Sequence, residues 1–350
     1  TDVPYGLLLS GGIDSTIIAG LIRKIVGERE PITAVTYASL NQHDESEYAK
    51  KIAAALKFDI SIKEPTSDVL YYKNRLKLLV TNLGRGHSSP AIISIDQLYR
   101  QLNDRGLTVA LDGQGADELL AGYKHYHLPL LIDFLRLGEW RQIAFLIKDA
   151  FNEGVVDLLI MTLRNVSGPF TKRIMRQIYG YERLLGSTLK SAKCLKSGIF
   201  RKQQGRKINN SLLNRHLKKQ HEIGLSNLLY YGDIVAMANS VENRSPFMDH
   251  RLVELAFSSS YTMKVREGSN KIVLRDSVYY QNFENLLNRK KIGFNTDLSD
   301  ELKESMLSEL SSSPLFTEKI IDKTAFDGLI VSGKFKNKKM ERFLFRLYQL

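Results

Sequence analysis

The chain has 350 residues, 43% of them hydrophobic and 25% charged, with a net charge of +12 and a single cysteine. This length and apolar content supply a real core, in one large or two smaller domains, and exclude a disordered chain. Cys194 alone excludes an internal disulfide or a cysteine metal cluster and suits a reducing compartment. No run of about 18 apolar residues exists and Thr1-Asp2-Val3-Pro4 does not read as a signal peptide, so a cytoplasmic protein is expected.

The first elements organise the rest. Tyr5-Gly6-Leu7-Leu8-Leu9 reads as a buried parallel strand, Ser10-Gly11-Gly12 as a tight turn, and Thr16 to Lys24 has helical spacing of its apolar positions. A glycine turn at a helix start presents backbone N–H groups and the positive end of the helix dipole to an anion, and Ser10 and Ser15 add hydroxyls. The lysine of the G-x-x-x-x-G-K-[ST] phosphate loop is missing, and Asp14 stands in that neighbourhood. A carboxylate beside bound phosphates calls for a cation between them, most simply Mg²⁺. The loop S-G-G-I-D-S resembles the pyrophosphate loop of the ATP pyrophosphatases, which cleave ATP between the α and β phosphates and transfer AMP; a turn that only joins strand to helix is the plainer alternative.

Further along, Ile32 to Tyr37 predicts a second strand, Tyr48 to Leu56 a helix with acids at its start, Phe58 to Ile62 a third strand and Leu107 to Leu111 a fourth. Strands separated by helical stretches predict an α/β fold, a doubly wound parallel sheet over residues 1–128, with ligands at the carboxyl ends of the strands. Directly after the fourth strand, Asp112-Gly113-Gln114-Gly115-Ala116-Asp117-Glu118 places Asp117 on the same rim as Asp14. Alone, Asp117 and Glu118 read as acids at a helix N-terminus; beside the first loop they suit a Mg²⁺ shared between two carboxylates and a triphosphate.

From Pro129 the strand signal fades, and a helix-rich part is expected over residues 129–350. Between Ile160 and Gln220 lie 15 Lys or Arg and one acid, Glu182, so the basicity belongs to this segment and the remainder is near neutrality. Phe170, Ile174, Ile178, Tyr181 and Leu185 share a helical face with basic residues between them. A solvated basic face is the plain reading; a surface for anionic lipid or a polyphosphate carrier is the sharper one. Ser240 to Arg251 reads as a charged, ordered turn around Pro246 before a helix from Leu252 to Phe257, and lysines recur at Lys271 and Lys291.

The order of motifs is more specific than any one of them. S-G-G-I-D-S, L-D-G-Q-G-A-D-E-L-L-A-G-Y, V-E-N-R-S-P-F-M-D, N-K-I-V-L-R-D and R-K-K-I-G-F together resemble the synthetase domain of the glutamine-dependent asparagine synthetases, from Val3 to about Asn295. The resemblance implies attack of a substrate carboxylate on the α-phosphate of MgATP, loss of pyrophosphate, and displacement of AMP by ammonia. By matching position, Ser10, Gly11, Gly12, Asp14 and Ser15 would cradle pyrophosphate, with Asp14 and Asp117 holding Mg²⁺. Leu9, Val35, Asp112 and Gly113 match positions that contact adenosine, and Lys271 and Lys291 match lysines at the phosphates and the reacting centre.

Two departures stand out. Gln114 occupies the place of a family glutamate and cannot take a proton from ammonia; Glu242 is the alternative base. The family's N-terminal glutaminase half is missing from the sequence, so ammonia is expected from that half, from a separate subunit or free in solution. A small-molecule carboxylate is the expected acceptor, aspartate nominally, a sugar uronate of surface polysaccharide synthesis alternatively, and a homodimer is an expected assembly. A pyrophosphatase-loop protein acting on tRNA is the reading from another class; the basic segment is its only support, so no nucleic-acid partner is expected.

Overall fold

In the computed structural model, which describes residues 2–38, 44–87, 89–123, 126–153, 211–289, 298–331 and 338–349, the opening apolar run forms β1 (Tyr5–Leu8). It is followed by α1 (Ile13–Val26), β2 (Thr33–Tyr37), α2 (Ser46–Ala55), β3 (Asp59–Lys63), α3 (Val69–Leu83), α4 (Ala91–Asn103) and β4 (Val109–Leu111). The expected strands are all present, within a residue or two of their expected ends. A fifth, β5 (Glu242–Arg244), completes a wholly parallel sheet in the order β3-β2-β1-β4-β5, with Leu7 of β1 opposite Ala34 of β2 and Leu111 of β4.

Adjacent residues of β1 show that helices cover both faces. Leu7 is fully buried in a cluster with Ile17, Ile18 and Ala19 of α1, whereas a side chain at Gly6 would collide with Leu102 of α4. The chain runs outward from β1 to β2 and β3 and then returns to place β4 on the other side of β1. The carboxyl ends of β1 and β4 therefore form the switch point where α/β sheets bind ligands.

β5 corrects the reading of Ser240 to Arg251 as turn. Its three residues are polar, and Glu242 and Arg244 are exposed at the sheet edge, so it has none of the apolar periodicity by which the other strands are found.

The described residues within Thr1–Arg85, Pro90–Asn152 and Lys207–Asp297 form one compact unit, which holds the whole five-stranded sheet and continues past residue 128. Its helix-rich portion includes α5 (Ala116–Leu119), α6 (His127–Leu137), α7 (Trp140–Glu153), α8 (Leu212–Gln220), α9 (Ser226–Met237) and α10 (His250–Ser258). Asp133, buried on α6, accepts hydrogen bonds from Ser211 Oγ and from the backbone N–H groups of Leu212 and Leu213, which fixes the start of α8. A second unit comprises the described residues within Gly86–Ser89, Glu153–Arg206 and Leu298–Leu350; there the helices Asp300–Ser311 and Lys338–Tyr348 bury Leu302, Met306, Leu310, Leu344 and Phe345. Residues 160–210, with the basic face from Phe170 to Leu185, lie outside the described residues.

Candidate active site

The turn after β1 is tied by its own hydroxyls. Ser10 and Ser15 Oγ are 3.1 Å apart, Ser10 N–H donates to Ser15 Oγ (3.2 Å), and Gly12 N–H donates to Ser10 Oγ (3.3 Å). Ser15 and Thr16 donate in turn to the Gly12 carbonyl, at 3.3 and 2.7 Å. No side chain caps the first turn of α1, whose dipole therefore faces the rim with Asp14 inside that turn. Leu9 and Val35 are fully buried and joined by a backbone hydrogen bond (2.9 Å), so at this rim they present backbone.

The second turn packs directly on the first. A Cβ at Gly113 would lie 2.9 Å from Asp14 Cβ and 3.1 Å from Ser15 N, so only glycine lets β4's loop approach α1 this closely. Asp117 follows in α5. Between the two acids stands Lys271, whose Nζ is 2.6 Å from each Asp14 oxygen and 2.6 Å from Asp117 Oδ1. The hairpin of β6 (Val265–Arg266) and β7 (Ser269–Asn270) delivers Lys271, which holds a left-handed backbone (φ 55°) and donates its N–H to Leu120 O. Gly122 closes the arrangement: a Cβ there would fall 1.8 Å from Asp117 Oδ1 and 2.6 Å from Lys271 Cε.

Burial alone would push the Lys271 ammonium's pKa down, but the facing carboxylates of Asp14 and Asp117 outweigh it and the net shift is upward. The trio is therefore a lysine cation between two carboxylates, one negative charge in excess. Among the described residues no group of three or more His, Cys, Asp or Glu gathers as a metal cluster. Two converging carboxylates do fit Mg²⁺, which takes one or two of them and fills its shell with phosphate oxygens and water.

Asp112 serves a different end. Its buried carboxylate accepts from Ser245 Oγ (2.6 Å), Asn243 Nδ2 (2.9 Å) and Gln114 N–H (3.1 Å), bracing β4 to β5. Burial raises its pKa and those hydrogen bonds pull the other way without cancelling it. Gln114 lies against α9, with its Nε2 3.5 Å and Oε1 3.8 Å from where a Gly232 Cβ would stand.

The structure thus brings together Ser10, Gly11, Gly12, Asp14, Ser15, Gly113, Asp117 and Lys271. It does not bring Glu242 to them: that side chain is exposed on β5 and ion-paired with Arg244 (2.7 Å), whose hydrogen bond lowers its pKa. The alternative of Glu242 as base depended on the fold bringing it close; strand alternation turns its neighbour Asn243 toward Asp112 instead. Lys291 lies outside the described residues. Two residues stood in quoted motifs without being given a role, Asn243 and Arg289. The Arg289 guanidinium donates to the Gly11 carbonyl (3.2 Å), pairs with Glu45 (2.7 Å) and lies 4.1 Å from the centroid of the Tyr48 ring. Alternation along Val241-Glu242-Asn243 could have pointed to Asn243; nothing local marks Arg289.

The asparagine synthase family model matches residues 1–347. Asparagine synthetase [glutamine-hydrolyzing] 1 of Bacillus subtilis is 29% identical over 327 residues, 87% of this chain and 48% of that protein. Amidase chyE of Penicillium rubens is 23% identical over 79% of this chain and 47% of its own length, and asparagine synthetase [glutamine-hydrolyzing] 2 of Bacillus subtilis 25% over 84% and 36%. The chain spans half or less of the length of these relatives.

Proposed function

The chain belongs to the asparagine synthase family, and from that premise we propose that it is the ATP-dependent, amide-forming half of such an enzyme. A substrate carboxylate attacks the α-phosphorus of ATP, pyrophosphate leaves, and ammonia then displaces AMP from the acyl carbon to give the amide. The observation that carries this reading is the meeting of Asp14, Asp117 and Lys271 at the uncapped start of α1.

Each group has a task set by charge. The Ser10-Gly11-Gly12 turn, Ser15 and the first turn of α1 bind the phosphates through N–H and hydroxyl donors. Asp14 and Asp117 would hold Mg²⁺, which when bound neutralises phosphate charge. The Lys271 ammonium offsets the charge that builds on the α and β phosphates as their bond breaks. Gly113, packed on Asp14, holds the two turns in this relation.

The acceptor is a carboxylate, aspartate nominally, and the ammonia comes from a glutaminase site or from solution. One residue favours a second acceptor. Gln114, a neutral amide at the place of a family carboxylate, suits an acceptor recognised by hydroxyls, such as a sugar uronate, and the chain is similar to a protein named an amidase as well as to asparagine synthetases. Incubation with ATP, Mg²⁺, an ammonium salt and either aspartate or a uronate, followed by mass spectrometry, tests both. An amide of one acceptor with matching pyrophosphate supports that acceptor; pyrophosphate release with neither, at saturating levels of each, removes both.

A further inference from the structure

Arg289 reaches from the far end of the compact unit to the opening turn, 278 positions away in the chain. Gly11, whose carbonyl it holds, has φ 71°, and a side chain there would press on Ala49 N (2.9 Å), Glu45 O (3.0 Å) and Tyr48 Cβ (3.1 Å). The start of α2 and Arg289 therefore grip the same glycine, and Glu45 and Tyr48 of that start fix the guanidinium by an ion pair and by stacking. In a trans peptide the C=O and N–H point in opposite directions. With the Gly11 carbonyl held by Arg289, the N–H of the same peptide, on Gly12, is turned toward Ser10 Oγ, the hydroxyl side of the turn. A flipped Gly11–Gly12 peptide would aim a carbonyl oxygen at the phosphates instead of a donor.

We propose that Arg289 is a positioning residue for the triphosphate, holding the Gly11–Gly12 peptide in the orientation that donates to it. This rests on the nucleotide-binding reading above. It acts through the backbone of the turn and through no contact with the acceptor, so its loss raises the KM for ATP and leaves the KM for the acceptor unchanged.

The test is the Kd for a fluorescent ATP analogue with Mg²⁺ on the full chain, in wild type, Arg289→Met and Arg289→Gln. Methionine has no donor, whereas the glutamine amide can still donate to the Gly11 carbonyl. About tenfold weaker binding is expected for R289M and less than about threefold for R289Q, by the worth of one hydrogen bond. If R289M does not fold, Arg289→Leu replaces it: like methionine it has no donor for the Gly11 carbonyl, so the same tenfold loss is expected. Wild-type affinity in R289M or in its substitute overturns the proposal. So does an equal loss in R289M and R289Q, which would assign the effect to charge and not to the carbonyl bond. Wild-type protein that binds no adenine nucleotide removes the nucleotide reading itself.

Discussion

Lys271 and Asp14 are 257 positions apart in the chain, and the lysine Nζ lies 2.6 Å from both oxygens of the carboxylate. With Asp117 at the same distance from that nitrogen, the strand-end turns of β1 and β4 share one buried cation. Lys271→Met removes it and leaves two buried acids facing one another, at a cost of about 3–5 kcal/mol in folding free energy. In urea denaturation the Asp117→Asn, Lys271→Met double variant is expected to be less destabilised than the two single losses combined, because the amide relieves the repulsion.

Gly122 is a point of contact with that trio. In Gly122→Ala the methyl group must displace the Asp117 carboxylate or the Lys271 stem, since it would stand 1.8 Å from one and 2.6 Å from the other. A loss of about 1–3 kcal/mol is expected in thermal or urea unfolding, accompanied by loss of ATP-dependent pyrophosphate release. A fully active, equally stable variant would show that the trio tolerates being pushed apart.

Glu242 gives a contrasting expectation. Exposed and held only by Arg244 among its described partners, it is remote from the chemistry, so Glu242→Gln is expected to change kcat by less than about threefold. A hundredfold loss, measured as pyrophosphate release at saturating substrates, would return Glu242 to the role of base.

Lys264, fully buried, ties the stretch before β6 to α8 by donating to Asn214 Oδ1 (2.6 Å) and Ser259 O (3.3 Å), with burial lowering its pKa to about 8. The unfolded chain holds that proton up to the ordinary lysine range, so between about pH 8 and 10 the unfolded state binds more protons and stability rises with pH. The burial penalty is present in full below pH 8. Unfolding free energies of wild type minus Lys264→Met are expected to climb over this window, by at most about 1.4 kcal/mol per pH unit. A flat difference would mean that Lys264 titrates alike in both states.

What the sequence reveals follows the range of the forces involved. Tyr5 to Leu9 and the Ser10-Gly11-Gly12 turn were legible because a strand buried on both faces is a continuous apolar run and a tight turn with a positive φ at Gly11 calls for glycine. Asp14 and Asp117 were legible because each sits in its own glycine turn after a strand. The strand Glu242–Arg244 was not, since its place at the sheet edge is supplied by backbone pairing to Val109–Leu111 and by no pattern of its own. Asn243 was passed over for the more reactive-looking Glu242, although only one of two successive strand residues can face the site. Lys271 took its role from the resemblance alone, and Arg289 stood in the R-K-K-I-G-F motif without one: both matter through contacts more than 250 positions long, which composition and spacing do not encode.

The most direct measurement is ³¹P NMR of the products formed from ATP, Mg²⁺, an ammonium salt and an accepted carboxylate. AMP and pyrophosphate in equal amounts, matched by amide, are the expected result, with both lost in Asp14→Asn. ADP and orthophosphate would place the cut at the wrong bond, and the joint grip of the two turns on a departing pyrophosphate would be refuted.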